Sequence, residues 1–148
     1  MNSNKDVEYR LNLAKGFLGE AEQDFELQRW RSCVDNAQLS VENAGKAILM
    51  LFGIPPKTHE PAKQLAHLID HSEIPVSVRD DIKDVLPDFL TLGLEEHFMT
   101  DYGDESSYKL PWDMFTEKSA KSALQAARLC TSRSESIIES VRRWRARE

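Results

Sequence analysis

Glycine and proline number only six each in a chain of 148 residues, and two cysteines are its whole thiol complement. Few backbone breakers leave room for long helices, since both residues interrupt them. Cys33 and Cys130 lie far apart and match no Cys-x-x-Cys spacing, so neither a zinc knuckle nor a disulfide framework is expected. Free thiols in a reducing cytoplasm fit better. No apolar run reaches the roughly 18 residues that a membrane-spanning helix requires, and the opening MNSNKDVEYR lacks the apolar run of a signal peptide. The expectation is a cytoplasmic chain that neither crosses nor binds a membrane. The glycines are scattered, which rules out a phosphate-cradling loop of the P-loop or dinucleotide kind. Gly-x-Ser-x-Gly is missing as well.

What remains is 41% apolar and 30% charged, the make-up of a soluble globular protein. The length fits one domain, residues 1–148, with a substantial core. A net charge of −6 makes the surface as a whole repel polyanions, so DNA is not an expected partner and any RNA contact needs a local basic patch.

Helical periodicity dominates. Val7, Leu11, Ala14, Leu18, Ala21 and Phe25 recur at alternating four- and three-residue steps, with Ser3 and Asp6 placed to cap the first turn. After a break at LQRWRS, Trp30, Val34, Ala37, Val41, Ala44, Ile48 and Leu51 repeat the pattern until Gly53 and the Pro55-Pro56 pair stop it. Ser40, Gly45 and Ala47 add small positions that let another backbone come close. Thr58 is placed to cap a shorter helix, HEPAKQLAHLIDH. Ser77 with Asp80 reopens a helix that Pro87 kinks or resets. Between Asp101 and Trp112 no regular period appears, and a loop of about a dozen residues is predicted, longer than a plain connection needs. Thr116 caps a last helix with the stripe Ala120, Ala123, Ala127, Cys130, Ser134, Ile137, Val141 and Trp144. Its basic RRWRARE end suits the negative pole of the helix dipole, and Trp144 is expected to reach past the core and offer an apolar strip to a second copy. The fold expected is all-α, an antiparallel up-and-down bundle of about five helices.

Chemistry is harder to place. His67 and His71 share a helix face, but a metal site demands three or four converging ligands, and none is expected. Arg29 and Arg31 near Cys33 would lower its pKa slightly. Asn36, Glu42, Asn43 and Lys46 lie off the apolar stripe of the second helix and read as a solvated face, Glu42 and Lys46 forming an i to i+4 pair. At PPKTHEP, Lys57, Thr58 and His59 sit at a helix N-terminus suited to an anion, or simply form its cap. In LEEHFMTDYGDES, His97, Tyr102 and Asp104 read either as a hydrogen-bonded chain in which the carboxylate orients the imidazole or as a structural clasp.

Three segments in order, CVDNAQLSVENAGKAILMLFGIPPKTHEPAKQL, HFMTDYGDE and PWDMFTEKSAKSALQAARL, resemble the HEPN domain, especially its small prokaryotic and archaeal members. The resemblance covers about Arg10 to Val141. It implies a helical bundle that dimerises, no cofactor, and partners such as a minimal nucleotidyltransferase, a nucleotide or RNA, in toxin–antitoxin or RNA-directed settings. Many members are metal-independent ribonucleases built on Arg-x(4 to 6)-His. Here no arginine has a histidine within the next ten positions, so the catalytic pair does not carry over; and in the segment that resembles Arg-Tyr-Gly-Asp-Glu, Asp101 stands where arginine is usual, which removes a cation beside the candidate site and adds an anion. The expectation is a binding or partner module with Lys57, Thr58, His59, His97, Tyr102 and Asp104 as its ligand-binding residues. A divergent ribonuclease using His97 as general acid or base is the alternative, and a purely structural assembly protein is a third.

Overall fold

The computed structural model describes residues 3–55, 61–70, 73–92 and 99–147. Helix α1 (Ser3–Glu26) and α2 (Trp30–Leu51) fold back on each other through a three-residue turn. That turn is a Schellman motif: Arg29 N–H donates to the Asp24 carbonyl at 2.8 Å and Gln28 N–H to that of Phe25 at 3.1 Å, with Gln28 in the left-handed region at φ 59°. The C-terminus of α2 closes in the same way. Ile54 N–H donates to the Leu49 carbonyl at 2.9 Å and Gly53 N–H to that of Met50 at 3.0 Å, and here glycine takes the left-handed position, at φ 73°.

Among the described residues these are followed by α3 (Pro61–Ile69), α4 (Val76–Thr91), a helical stretch at 99–102, the short α5 (Pro111–Met114) and the 31-residue α6 (Glu117–Arg147). Among the described residues all regular structure is helical apart from one antiparallel bridge. Among the described residues no helix is long and apolar enough to cross a membrane. Helix α1 begins at Ser3, whose side chain lies outside the described residues, and α4 begins at Val76 after Pro75, one residue before Ser77, with no side-chain cap hydrogen bond at Pro75. Pro87 neither breaks nor resets α4, which runs through it as one helix. Thr116 does cap α6, reciprocally: Ser119 N–H donates to Thr116 Oγ1 at 3.3 Å and Thr116 N–H to Ser119 Oγ at 2.8 Å. The cap assigned to Thr58 lies outside the described residues.

Helix α2 is the axis of the molecule, packed against α1 on one side and α6 on another, with α3, α4 and α5 completing its enclosure. The expected stripes of α1, α2 and α6 supply the core. Ala14, Ala21, Ala37, Ala44, Ala120 and Ala127 are fully buried where the three long helices meet, and such small side chains let backbones approach closely. At that junction Ser40 Oγ donates to the Ala14 carbonyl at 2.7 Å and lies 3.0 Å from Thr131 Oγ1, tying α1, α2 and α6 at one point. Gly45 shows why a side chain is missing there. A Cβ would come within 2.6 Å of Pro61 Cγ and 3.1 Å of Phe89 Cε1, so α3 and α4 press directly on the α2 backbone.

Trp144 does not protrude. It is half-buried against the core beside Phe52, and the neighbouring Arg145 guanidinium sits 5.5 Å from the centre of the Phe52 ring. A hollow of ≈ 370 Å³ opens beside it, lined by Phe52, Ile54, Leu68, Glu73, Ile74, Trp144 and Arg145.

Candidate functional site

On the face of α2 turned away from its apolar stripe, Arg31, Asp35, Gln38, Glu42 and Lys46 follow one another at helical spacing. A solvated face was expected, but Glu42, Asn43 and Gln38 are buried and Lys46 is mostly so. They are enclosed because they are paired. Lys46 Nζ donates to Glu42 Oε2 at 3.0 Å, Gln38 Nε2 to Glu42 Oε1 at 3.4 Å, and Arg10 reaches from α1 to Asn43 Oδ1 at 3.0 Å. Asn36, at the edge, donates to Asp24 at 2.8 Å. Gln38 Oε1 is buried without a partner.

The chain after α4 is held to the N-terminal end of this stripe. Arg31 Nη1 donates to the Thr100 carbonyl at 2.9 Å, and Thr100 Oγ1 donates to Asp35 Oδ1 at 3.1 Å; Thr100 is fully buried. Residues 99–102 are helical, and a tight hairpin replaces the predicted irregular loop. Asp104 and Lys109 exchange both backbone hydrogen bonds at 2.9 Å. Gly103, at φ 70°, lies so close beneath that a Cβ would land on the Lys109 carbonyl oxygen. Tyr108 turns the hairpin at φ 58°, and Pro111 then opens α5.

Of the expected ligand-binding residues, Tyr102 and Asp104 lie on this hairpin, while Lys57, Thr58, His59 and His97 lie outside the described residues. Asp104 serves its own turn: Oδ1 accepts from Ser106 Oγ at 2.6 Å and Ser106 N–H at 3.1 Å. Those bonds, with others from Ser107, hold its carboxyl below the usual range. Tyr102 is 64% exposed. A hollow of ≈ 550 Å³ beside it is lined by Met99, Tyr102, Gly103, Asp104, Glu105 and Ser106.

The residues that no period could reveal are the exposed ones. Tyr108 is 92%, Trp112 68% and Leu110 56% exposed, and with Tyr102 they make residues 102–112 an exposed segment rich in aromatic side chains, the aromatic ridge. Behind it Arg31 sits 5.8 Å from the centre of the Trp112 ring, and a second hollow of ≈ 480 Å³ opens between Arg29, Arg31, Trp30, Trp112 and Phe115. The only available signal was the density of Tyr, Leu and Trp in a stretch otherwise polar.

The thiols play no part here. Both cysteines are free and buried, and burial pushes Cys33 up to about 11, with Asp24 adding to the rise and Arg128 opposing it. The lowering expected from Arg29 and Arg31 is therefore reversed. Among the described residues no three His, Cys, Asp or Glu side chains gather as a metal site.

Comparison with known proteins adds the frame. The profile of the HEPN domain matches residues 7–142. The crystal structure of ST0689, an archaeal HEPN homologue, superposes with a TM-score of 0.66 at 21% identity, covering 89% of this chain and 97% of that one. TT1696 from Thermus thermophilus gives 0.62 at 19% identity, with 88% and 97% covered. At such identities the likeness is one of fold. No curated protein matches significantly.

Proposed function

The chain belongs to the HEPN domain family, and from that premise we propose that it works as a dimeric binding module for a partner protein rather than as a ribonuclease. The aromatic ridge carries this reading. Soluble monomers seldom leave several large aromatic and aliphatic side chains exposed together unless another molecule covers them, and Tyr, Trp and Arg are the residue types that anchor protein interfaces. The ridge is also prepared for binding, because the Asp104–Lys109 bridge and the Arg31–Thr100 bond fix the backbone beneath it. A rigid surface loses little entropy on association.

The partner proposed is a minimal nucleotidyltransferase, in a cytoplasmic toxin–antitoxin or RNA-related setting, with Lys57, Thr58, His59, His97, Tyr102 and Asp104 available to a nucleotide. Absence of Arg-x(4 to 6)-His from the sequence supports the non-catalytic part. The test is co-purification with the protein encoded beside this one, using wild type and Tyr108→Ala/Trp112→Ala. The double variant is expected to keep its fold and lose the partner. RNA cleavage by the wild type that vanishes in His97→Ala would overturn the proposal in favour of the ribonuclease.

A further inference from the structure

The hollow of ≈ 480 Å³ at the start of α2 is lined by residues 28–32 of the α1–α2 connection and by Trp112 and Phe115. Its size is that of a small-molecule site. Donors prevail in it. Helix α2 starts there without a side-chain cap, and its first hydrogen bond runs from the Cys33 N–H to the Arg29 carbonyl. The amides of Trp30, Arg31 and Ser32 therefore have no acceptor within the helix. Arg29 is exposed, and its guanidinium makes no hydrogen bond or ion pair with a described residue. Arg31 is fixed through Nη1 to the Thr100 carbonyl at 2.9 Å and through Nη2 to Ser32 Oγ at 3.2 Å, yet its Nε is buried without a partner. Buried donors are seldom left so. None of the described residues lining the hollow is acidic, in a chain whose net charge is −6.

The walls are aromatic. Trp30 meets the Phe25 ring edge-on, with centres 5.3 Å apart, and the Arg31 guanidinium lies 5.8 Å from the centre of the Trp112 ring, so both indoles are held in place. Trp112 is still 68% exposed, which leaves ring surface for a ligand. Guanidinium groups grip a planar carboxylate through paired N–H donors, and the start of a helix adds free amides and the positive pole of its dipole. The hollow beside Tyr102 has the opposite sign, because Asp104 and Glu105 line it. We infer that the hollow at the start of α2 binds a small aromatic carboxylate, with its anion toward Arg29, Arg31 and the helix amides and its ring among Trp30, Trp112 and Phe115. This goes beyond the partner reading. Arg29 lies outside the exposed aromatic segment, so either reading can fail alone.

The probe is naphthoate, with naphthamide as its neutral counterpart and inorganic phosphate as an anion without a ring. Calorimetry reads the affinity, and amide and indole N–H shifts in proton–nitrogen correlation spectra read the location. Naphthoate is expected to bind about ten-fold more tightly than naphthamide, to weaken with salt, and to move the signals of Trp30, Arg31, Ser32 and Trp112 before any others. Arg29→Ala removes an exposed side chain and should leave circular dichroism unchanged while weakening naphthoate about ten-fold. Arg29→Lys should recover part of that loss, since it restores the charge but not the fork. Equal affinity for acid and amide, shifts centred elsewhere, or no binding at millimolar naphthoate would overturn the inference. So would phosphate that binds as tightly as naphthoate, because the aromatic walls would then contribute nothing.

Discussion

Arg31 and Thr100 are 69 positions apart in sequence, yet the guanidinium of one donates to the carbonyl of the other at 2.9 Å, so the first turn of α2 fixes the strand of chain that carries the aromatic ridge. The same arginine lies over Trp112. Arg31→Ala should therefore act on the ridge before it acts on the bundle. A hydrogen bond to a charged donor contributes roughly 1.5–3 kcal/mol, a local loss that hydrogen exchange can read. Backbone amides of Gly103, Asp104 and Lys109 are expected to exchange ten-fold or more faster, with those in the middle of α2 and α6 unchanged. Uniform acceleration throughout the molecule would show that the residue supports the core instead.

The Glu42–Lys46 pair makes a sharper prediction. Both side chains are largely withdrawn from water, at 6% and 13% exposure, and removing one member leaves the other charged in a poorly solvated place. Lys46→Met should cost about 2–4 kcal/mol in urea unfolding. Adding Glu42→Gln to it should recover part of that loss, because the buried negative charge is then gone as well. A double variant less stable than the sum of the two single changes would refute this account.

Gly45 tests the packing of α3 and α4 on α2. Alanine is the better helix former by about 1 kcal/mol, so an exposed glycine replaced by alanine stabilises. At Gly45 the new methyl group would collide with the Pro61 ring and the edge of Phe89, and overpacking of a closed core costs typically 1–3 kcal/mol. Gly45→Ala is expected to lower Tm. An unchanged or raised Tm would mean that α3 yields freely.

These predictions fall on both sides of what the sequence discloses. The apolar stripes of α1, α2 and α6 were readable because a period of 3.6 exposes them directly, and the Thr116 cap because its chemistry is local. Glu42, Asn43 and Lys46 were misread for the complementary reason. Periodicity reports which side chains avoid water, but whether polar ones reach it depends on what lies over them, and their partners include Arg10 in another helix. The hairpin was hidden because Tyr108 occupies a left-handed position usually held by glycine or asparagine, so the turn carries no residue signature. Trp144 lay on the predicted stripe, but its docking beside Phe52 depends on the path of the chain after α2. Within the candidate site, Asp104 bonds to Ser106 in its own turn, and the exposed aromatic side chains around it emerged only from three-dimensional accessibility.

The buried thiols give the molecule an alkaline limit, and its sign follows from linkage. Cys33 is wholly enclosed, and its pKa is raised from 9.0 to about 11, chiefly because burial penalises the thiolate; Cys130 is raised further for the same reason. Between pH 9 and pH 11 the unfolded chain releases the Cys33 proton while the folded chain keeps it, so unfolding is favoured as pH rises. The contribution is fully present below pH 9 and is lost as pH climbs through the folded value, at up to about 1.4 kcal/mol per pH unit for each thiol that ionises only when unfolded. The comparison is therefore made between two proteins under identical conditions. Cys33→Ala/Cys130→Ala should start at a lower Tm because of the lost packing, yet its Tm should decline less steeply from pH 8.5 to pH 10.5 than that of the wild type. Parallel slopes would show that the thiols ionise as readily folded as unfolded, and rapid alkylation of the native protein at pH 8 would show the same by direct reaction.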